Sequence, residues 1–169
     1  MPMEASPLTG PRSDRPRTAA LAAGWGVAVT AVAVVGGLAT DTESEWYRNL
    51  DRPSWQPPGP AFGIVWTILY ATIAISAILA CRDMRGRQRR IVAGLFAANL
   101  VLNLAWTWIF FRAESPRAAG VEILFLLGTI LGLIRLILPH NRAAALLLAP
   151  YGAWVAFATV VTWTIAARN

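Results

Sequence analysis

The chain has 169 residues, of which 56% are hydrophobic and only 14% are charged, and its formal net charge is +6. Soluble domains carry roughly a quarter of charged residues, so a water-exposed globular surface is excluded over most of this chain. All 15 Lys and Arg positions are arginines, and all but Arg135 lie outside the long apolar runs. This distribution indicates membrane topology rather than nucleic-acid binding, and we expect no nucleic-acid partner.

The chain begins with a segment rich in Pro, Ser and Arg over residues 1–17, which predicts a disordered basic tail. Residues 18–169 form the predicted membrane domain. The first apolar run, 18–39, has 22 residues, which exceeds the roughly 7–15 residues of a signal-peptide core. We therefore expect a retained membrane helix rather than a cleaved signal.

Five runs of low charge follow one another along the chain, and each is long enough to cross a bilayer. At about 1.5 Å per residue, a run of roughly 20 residues reaches the 30 Å of the hydrocarbon core. The apolar residues are continuous rather than alternating, which favours helices over strands. The predicted fold class is an all-α integral membrane protein, a five-transmembrane-helix bundle. The predicted helices cover residues 18–39, 61–81, 91–111, 118–138 and 143–167.

The connectors between these runs predict the orientation of the chain. One set of alternate connectors and helix ends carries ten arginines and the other carries five. Because arginine collects on the inner side of membranes, we predict an inner N-terminus and an outer C-terminus. The composition is typical of a bacterial multi-pass protein, and it leaves the choice between inner and outer membrane open.

Eight tryptophans stand out from the composition. Trp46, Trp108 and Trp163 lie near predicted membrane interfaces, where an aromatic belt is ordinary. Trp66 and Trp154 lie well inside predicted helices. Indole rings there form rigid, flat, apolar walls, so they predict a pocket for a large planar ligand.

Helical spacing places these tryptophans on faces with other distinctive residues. Asn99 and Asn103 must face protein rather than lipid, and they either join helices or bind a ligand. Ala158 would leave space beside the aromatic rings. The three faces are Phe62, Trp66 and Tyr70; Asn99, Asn103, Trp106 and Phe110; and Tyr151, Trp154, Ala158 and Thr162.

Three stretches carry a resemblance to a known family. They are WYRNLDRPSWQPPGPAFGIVWTILY (residues 46–70), NLVLNLAWTWIFF (residues 99–111) and APYGAWVAFAT (residues 149–159). In this order and spacing they resemble the TspO/translocator protein family, the tryptophan-rich sensory proteins, over about residues 20–169.

The resemblance implies a five-helix bundle that forms a homodimer within membrane lipid. It also implies that porphyrin or haem binds as a ligand in a pocket between the helices, with no cofactor required. The residues that match the family's ligand pocket are Tyr47, Trp55, Trp66, Asn103, Trp106, Trp154 and Ala158. Those that match its lid loop are Pro53, Pro57 and Pro58.

The expected function is therefore a membrane receptor or sensor for porphyrins and related tetrapyrroles. Two alternatives stay open: a transporter of porphyrins or similar amphiphiles, and a light-dependent porphyrin-degrading enzyme. Spacing alone indicates no catalytic residues and no metal site. Trp163 stands where the cholesterol motif proposed for some family members has tyrosine, so cholesterol recognition is not expected.

Two further features have competing interpretations. Glu122 lies about five residues into the fourth predicted helix, where an acid suggests proton coupling, but a capping or snorkelling structural role is favoured so near a helix end. Gly94 and Ala98 have the spacing of close helix contacts. The resemblance suggests that this third helix forms the dimer interface.

Overall fold

A computed structural model describes residues 15–169, which form helices joined by loops and turns. Five segments in this part of the chain are long and apolar enough to cross a membrane. The predicted all-helical membrane bundle is therefore confirmed. In chain order the helices are α1 (Arg15–Ala39), α2 (Glu45–Asn49), α3 (Gly59–Asp83), α4 (Gly86–Phe111), α5 (Pro116–Ile137), α6 (Arg142–Leu146) and α7 (Ala149–Arg168).

Several helices extend beyond the low-charge runs. α4 begins at Gly86, five residues before the predicted residue 91, and its first turns contain three arginines. Arginine is a good helix former, so a charge that marks the membrane edge does not end the helix. α1 likewise begins at Arg15, and residues 1–14 of the predicted tail lie outside the described residues.

The fifth predicted helix is divided into α6 and α7 by a turn at Leu147 and Leu148. Pro150 lies in the first turn of α7, where its missing N–H and fixed φ are tolerated, whereas deeper inside a helix they would break it. α6 is capped by Asn141, whose Oδ1 accepts a 2.8 Å hydrogen bond from the Ala144 N–H.

α5 lies at the centre of the bundle and packs along α4 and α7, while α1 packs on α3 and α4. Phe96, Ile130, Leu133 and Tyr151 are completely buried where these helices meet. A Cβ built on Gly132 of α5 would lie 3.4 Å from Leu95 of α4. The small residue therefore lets the two helices approach closely.

Side-chain contacts define two ends of the bundle. At one end, Arg112 Nη2 donates a 2.8 Å hydrogen bond to the Leu38 carbonyl. The loop 40–58, which we call the lid loop, covers this end. At the opposite end, Asn141 Nδ2 donates to Asp83 Oδ2 at 2.6 Å, next to the arginine-rich turn between α3 and α4.

Candidate functional site

A cavity of about 740 Å³ lies beneath the lid loop, between α1, α3, α4, α5 and α7. Much of its wall is aromatic, and the rings come from the lid and from three of the long helices. The aromatic residues that line it are Tyr47, Phe62, Trp66, Tyr70, Trp106, Phe110, Phe111, Trp154 and Phe157.

The aromatic rings hold one another in place. Phe62 meets Trp154 edge-on, with ring centroids 5.5 Å apart and planes at 70°. Trp106 is stacked on Phe110 at 5.2 Å and 17°. Edge-to-face and offset contacts of this kind are each worth about 0.5–1.5 kcal/mol beyond the area they bury. The wall is therefore built before any ligand arrives.

A chain of hydrogen bonds crosses the bundle at the base of the cavity. The Tyr70 hydroxyl donates to Asn103 Oδ1 at 2.7 Å, and Asn103 Nδ2 donates to the Tyr151 hydroxyl at 3.3 Å. Tyr151 in turn donates to Asn99 Oδ1 at 3.2 Å, and Asn99 Nδ2 donates to Thr129 Oγ1 at 2.8 Å. Four helices are joined by these bonds. Asn99 acts within the bundle, whereas Asn103 both joins helices and lines the cavity.

The wall contributed by α1 is made of small residues, and sequence reasoning missed it. It includes Gly26, Thr30, Ala33 and Gly37. Their spacing of three or four residues puts them on one helical face, which is the signal that could have revealed them. Small side chains here leave room that larger ones would fill.

Two indole nitrogens of the wall lack partners. The indole Nε1 atoms of Trp106 and Trp154 are buried and have no hydrogen-bond partner among residues 15–169. Indole nitrogen is only a donor, and a buried donor without an acceptor is rare in proteins. Both side chains therefore retain capacity for an acceptor on a bound molecule or a water.

The structure brings together most of the residues predicted for the pocket. Trp55 is the exception: it is 48% exposed and does not line the cavity, because it lies in a turn of the lid loop and contacts the edge of Phe157 at 5.8 Å. Pro53, Pro57 and Pro58 line a second hollow formed by the lid loop, and Pro53 is buried. The predicted residues that line the cavity are Tyr47, Trp66, Asn103, Trp106, Trp154 and Ala158.

The lid loop is fastened to the end of α7. The Asp51 N–H donates to Asn169 Oδ1 at 3.0 Å, and Asn169 Nδ2 donates back to the Asp51 carbonyl at 3.4 Å. Arg168 adds an exposed ion pair to the Asp51 carboxylate at 3.4 Å. Inside the lid, Gln56 Nε2 donates to the Tyr47 hydroxyl at 2.8 Å.

Glu122 neither caps α5 nor reaches the surface. It is 9% exposed, and both carboxylate oxygens lack hydrogen-bond partners in the described part of the chain. The Asn99–Thr129 bond fixes the register of α4 and α5. Seven residues make about two helical turns. Glu122 lies two turns before Thr129 on α5, and Trp106 lies two turns after Asn99 on α4. Because the two helices are antiparallel, Glu122 is level with Trp106.

Comparison with known proteins identifies the family. A model of the TspO/MBR family matches residues 25–168. The chain belongs to the TspO/MBR family.

Relatives in this family come from both bacteria and animals. The chain is 35% identical over 127 residues to the uncharacterized membrane protein YtaB of Bacillus subtilis, covering 75% of this chain and 82% of the relative. It is 35% identical over 124 residues to the tryptophan-rich protein TspO of Bacillus cereus, covering 73% and 80%. It is 34% identical over 122 residues to the human translocator protein, covering 71% and 72%.

The region that matches the TspO/MBR family contains every residue that lines the aromatic cavity. Within residues 15–169 this family member has no group of three His, Cys, Asp or Glu side chains placed to hold a metal ion. The polar groups that line the cavity are tyrosine and threonine hydroxyls, indole N–H groups and the side-chain amides of Gln56 and Asn103.

Proposed function

We propose that this TspO/MBR family protein is a membrane receptor that binds porphyrins and related tetrapyrroles, haem included, in the aromatic cavity. The observation that carries the proposal is the wall itself, in which three indoles and several other rings surround about 740 Å³. Small-molecule pockets usually have about 300–1,000 Å³ and mostly apolar walls. A flat macrocycle can stack on such rings without reordering them.

The same cavity suggests how a bound ligand would be sensed. Tyr70 and Asn103 line the cavity and also begin the hydrogen-bond chain that reaches α7 and α5. A ligand that competes for either group would change bonds joining four helices. The proposed output is regulation of tetrapyrrole metabolism through this change in the bundle.

A titration of the purified full chain in detergent tests the proposal. Protoporphyrin absorbance, measured against an empty-detergent control, should shift and saturate at one porphyrin per chain. A shift that grows without saturation, as in the control, would mean that the porphyrin only partitions into micelles, and the receptor would be disproved.

Transport is a second candidate function, favoured by the name "translocator protein" that relatives in human, sheep and pig carry. With the proposed inner N-terminus and outer C-terminus, the lid loop would face outward. Proteoliposomes that contain the protein should then take up porphyrin faster than empty liposomes. Equal rates would exclude transport while leaving receptor binding intact.

Light-dependent porphyrin degradation is a third candidate, favoured by the indoles of Trp66, Trp106 and Trp154 in the cavity wall. Illumination of the protein–protoporphyrin mixture should yield a new chromophore that requires the protein. A product spectrum identical to that of illuminated protoporphyrin alone would exclude this activity.

A further inference from the structure

A second hollow lies on the outer side of the lid loop and has a volume of about 830 Å³. We call it the outer cleft. Charged side chains and prolines share its lining, whereas the wall of the cavity below is largely aromatic and apolar. The two spaces share four wall residues, Thr42, Tyr47, Gln56 and Gly59. These shared residues therefore form a partition between the outer cleft and the aromatic cavity.

A hydrogen bond joins two residues of the partition. Gln56 Nε2 donates a 2.8 Å hydrogen bond to the Tyr47 hydroxyl, and Tyr47 is 7% exposed. The Gln56 Oε1 atom is buried and has no hydrogen-bond partner among residues 15–169. A buried acceptor without a partner is costly, so a new partner for this oxygen would offset the loss of the bond to Tyr47. A molecule that passes between the two compartments would displace it first.

The charges of the outer cleft are unevenly paired. Arg48, Arg52, Glu43 and Asp51 line it. Asp51 already faces Arg168 at 3.4 Å. Neither Arg48 nor Arg52 has a carboxylate within 4.0 Å, since the ion pairs found within residues 15–169 are Arg168–Asp51 and Arg82–Asp83. The guanidinium groups of Arg48 and Arg52 therefore keep hydrogen-bond donors available for a ligand. Glu43 is the other acidic residue that lines the cleft.

Arg52 is held beside the partition. Its guanidinium carbon lies 4.7 Å from the centre of the Tyr47 ring, a cation–π distance. Tyr47 lines both spaces, and its ring contacts Phe111 of the aromatic cavity at 5.4 Å. The Tyr47 ring thus lies between the Arg52 guanidinium, which has no ion-pair partner among the described residues, and the apolar wall of the cavity. A ligand with a flat apolar body and acidic groups on one edge would match both sides.

We propose that the outer cleft is a carboxylate subsite, in which Arg48 and Arg52 bind the acidic side chains of a ligand whose macrocycle occupies the aromatic cavity. The inference rests on the proposed receptor function and narrows its ligand to anionic amphiphiles. Guanidinium groups bind carboxylates through paired charge-assisted hydrogen bonds. Neutral planar molecules enter the aromatic cavity without using this subsite, so the two arginines determine specificity.

The test compares protoporphyrin IX, which has two carboxylates, with its dimethyl ester, which has none. Both are titrated into the full chain in detergent, and the ratio of their Kd values is compared between variants, so that partition into micelles cancels. Wild type should prefer the acid. Arg48→Gln and Arg52→Gln should each reduce that preference about 10-fold or more, as expected for losing hydrogen bonds between charged groups.

Two control variants isolate the cause. Arg48→Lys keeps the charge and should retain part of the preference. Arg142→Gln removes an exposed arginine at the opposite end of the bundle and should leave the ratio unchanged. Arg48→Gln does not disturb the Arg52–Tyr47 contact, so it tests the subsite even if Arg52→Gln weakens the lid.

The outcomes separate the inference from the function on which it rests. If acid and ester bind wild type and both arginine variants with one ratio of Kd values, the carboxylate subsite is disproved and the receptor stands. A preference reduced equally by Arg142→Gln would reveal a general charge effect and would also disprove the subsite. If neither compound binds wild type, the receptor and the subsite fail together.

Discussion

The Tyr70 hydroxyl and the Asn103 side chain are joined by a 2.7 Å hydrogen bond at the wall of the aromatic cavity. This bond is the first in a chain through Tyr151 and Asn99 to Thr129. Side-chain hydrogen bonds between membrane helices average about 0.6 kcal/mol, with a maximum near 1.7. Tyr70 and Asn103 belong both to the cavity wall and to this chain of bonds, so the wall and the helix packing depend on each other.

Tyr70→Phe should test that interdependence. It removes one hydroxyl and leaves Asn103 Oδ1 without its donor, so we expect a loss of about 0.6–1.7 kcal/mol in the free energy of unfolding. Thermal unfolding in detergent, followed by circular dichroism, measures it. The matched control is Thr164→Val, which removes the hydroxyl of an outward-lying hydrogen bond to the Val160 carbonyl. Equal losses of unfolding free energy for the two variants would argue that the hydrogen-bond chain does not couple the cavity wall to the helix packing.

Trp154→Ala should weaken porphyrin binding by about 1–3 kcal/mol, because it removes an indole from the cavity wall. That loss corresponds to a Kd raised roughly 5- to 150-fold. Trp108→Ala is the matched control, since Trp108 is 49% exposed on the outside of the bundle. An absorbance titration gives both values. If Trp108→Ala weakens binding as much as Trp154→Ala, the ligand does not occupy the cavity.

Ala158→Thr should alter the ligand pocket by adding bulk beside Trp154, on the cavity side of α7. We expect weaker porphyrin binding and an unchanged helical content. Ala156→Thr makes the same chemical change on the exposed face of the same helix, and it should bind as wild type does. Titration curves for Ala158→Thr that overlay those of wild type would place the ligand elsewhere.

The helices were readable from the sequence because lipid demands long apolar runs. The residues of the cavity wall were partly readable, since indoles such as Trp66 and Trp154 inside membrane helices need an explanation. The glycine-rich face of α1 was not, because small residues carry no chemical signature. The outward position of Trp55 was also unpredictable, since it depends on the path of the lid loop rather than on a helical period.

Gly94→Leu should test the proposed homodimer. Gly94 is exposed on α4, and nothing lies within 4 Å of a Cβ built there, so the single chain has room for leucine. In a dimer that packs through this face, the larger side chain would prevent close approach. Crosslinking and light scattering in detergent should then report monomers. Gly24→Leu, on an exposed and equally open face of α1, is the control and should leave the mass unchanged.

Asn169→Ala should speed ligand exchange, because it removes both hydrogen bonds between the end of α7 and the Asp51 backbone. Exposed bonds of this kind contribute about 0.5–1.5 kcal/mol each. Stopped-flow mixing should show faster porphyrin association and dissociation, with Kd changed less than either rate. Thr164→Val, which removes a hydrogen bond within α7 and none to the lid loop, should leave both rates as they are in wild type. Rates for Asn169→Ala equal to those of wild type would show that the lid loop does not limit exchange.

The small-residue face of α1 has a consequence for the surroundings of the protein. Glycine and alanine offer few atoms for interlocking contact, and only 11% of the apolar stretch of α1 is buried, against 28–39% in the other spans. In a bilayer, acyl chains would cover most of this helix wherever no second chain packs on it. Bilayer thickness and lipid order would then act directly on the side of the hollow that α1 closes, and lipid composition would be one of the variables that set its width.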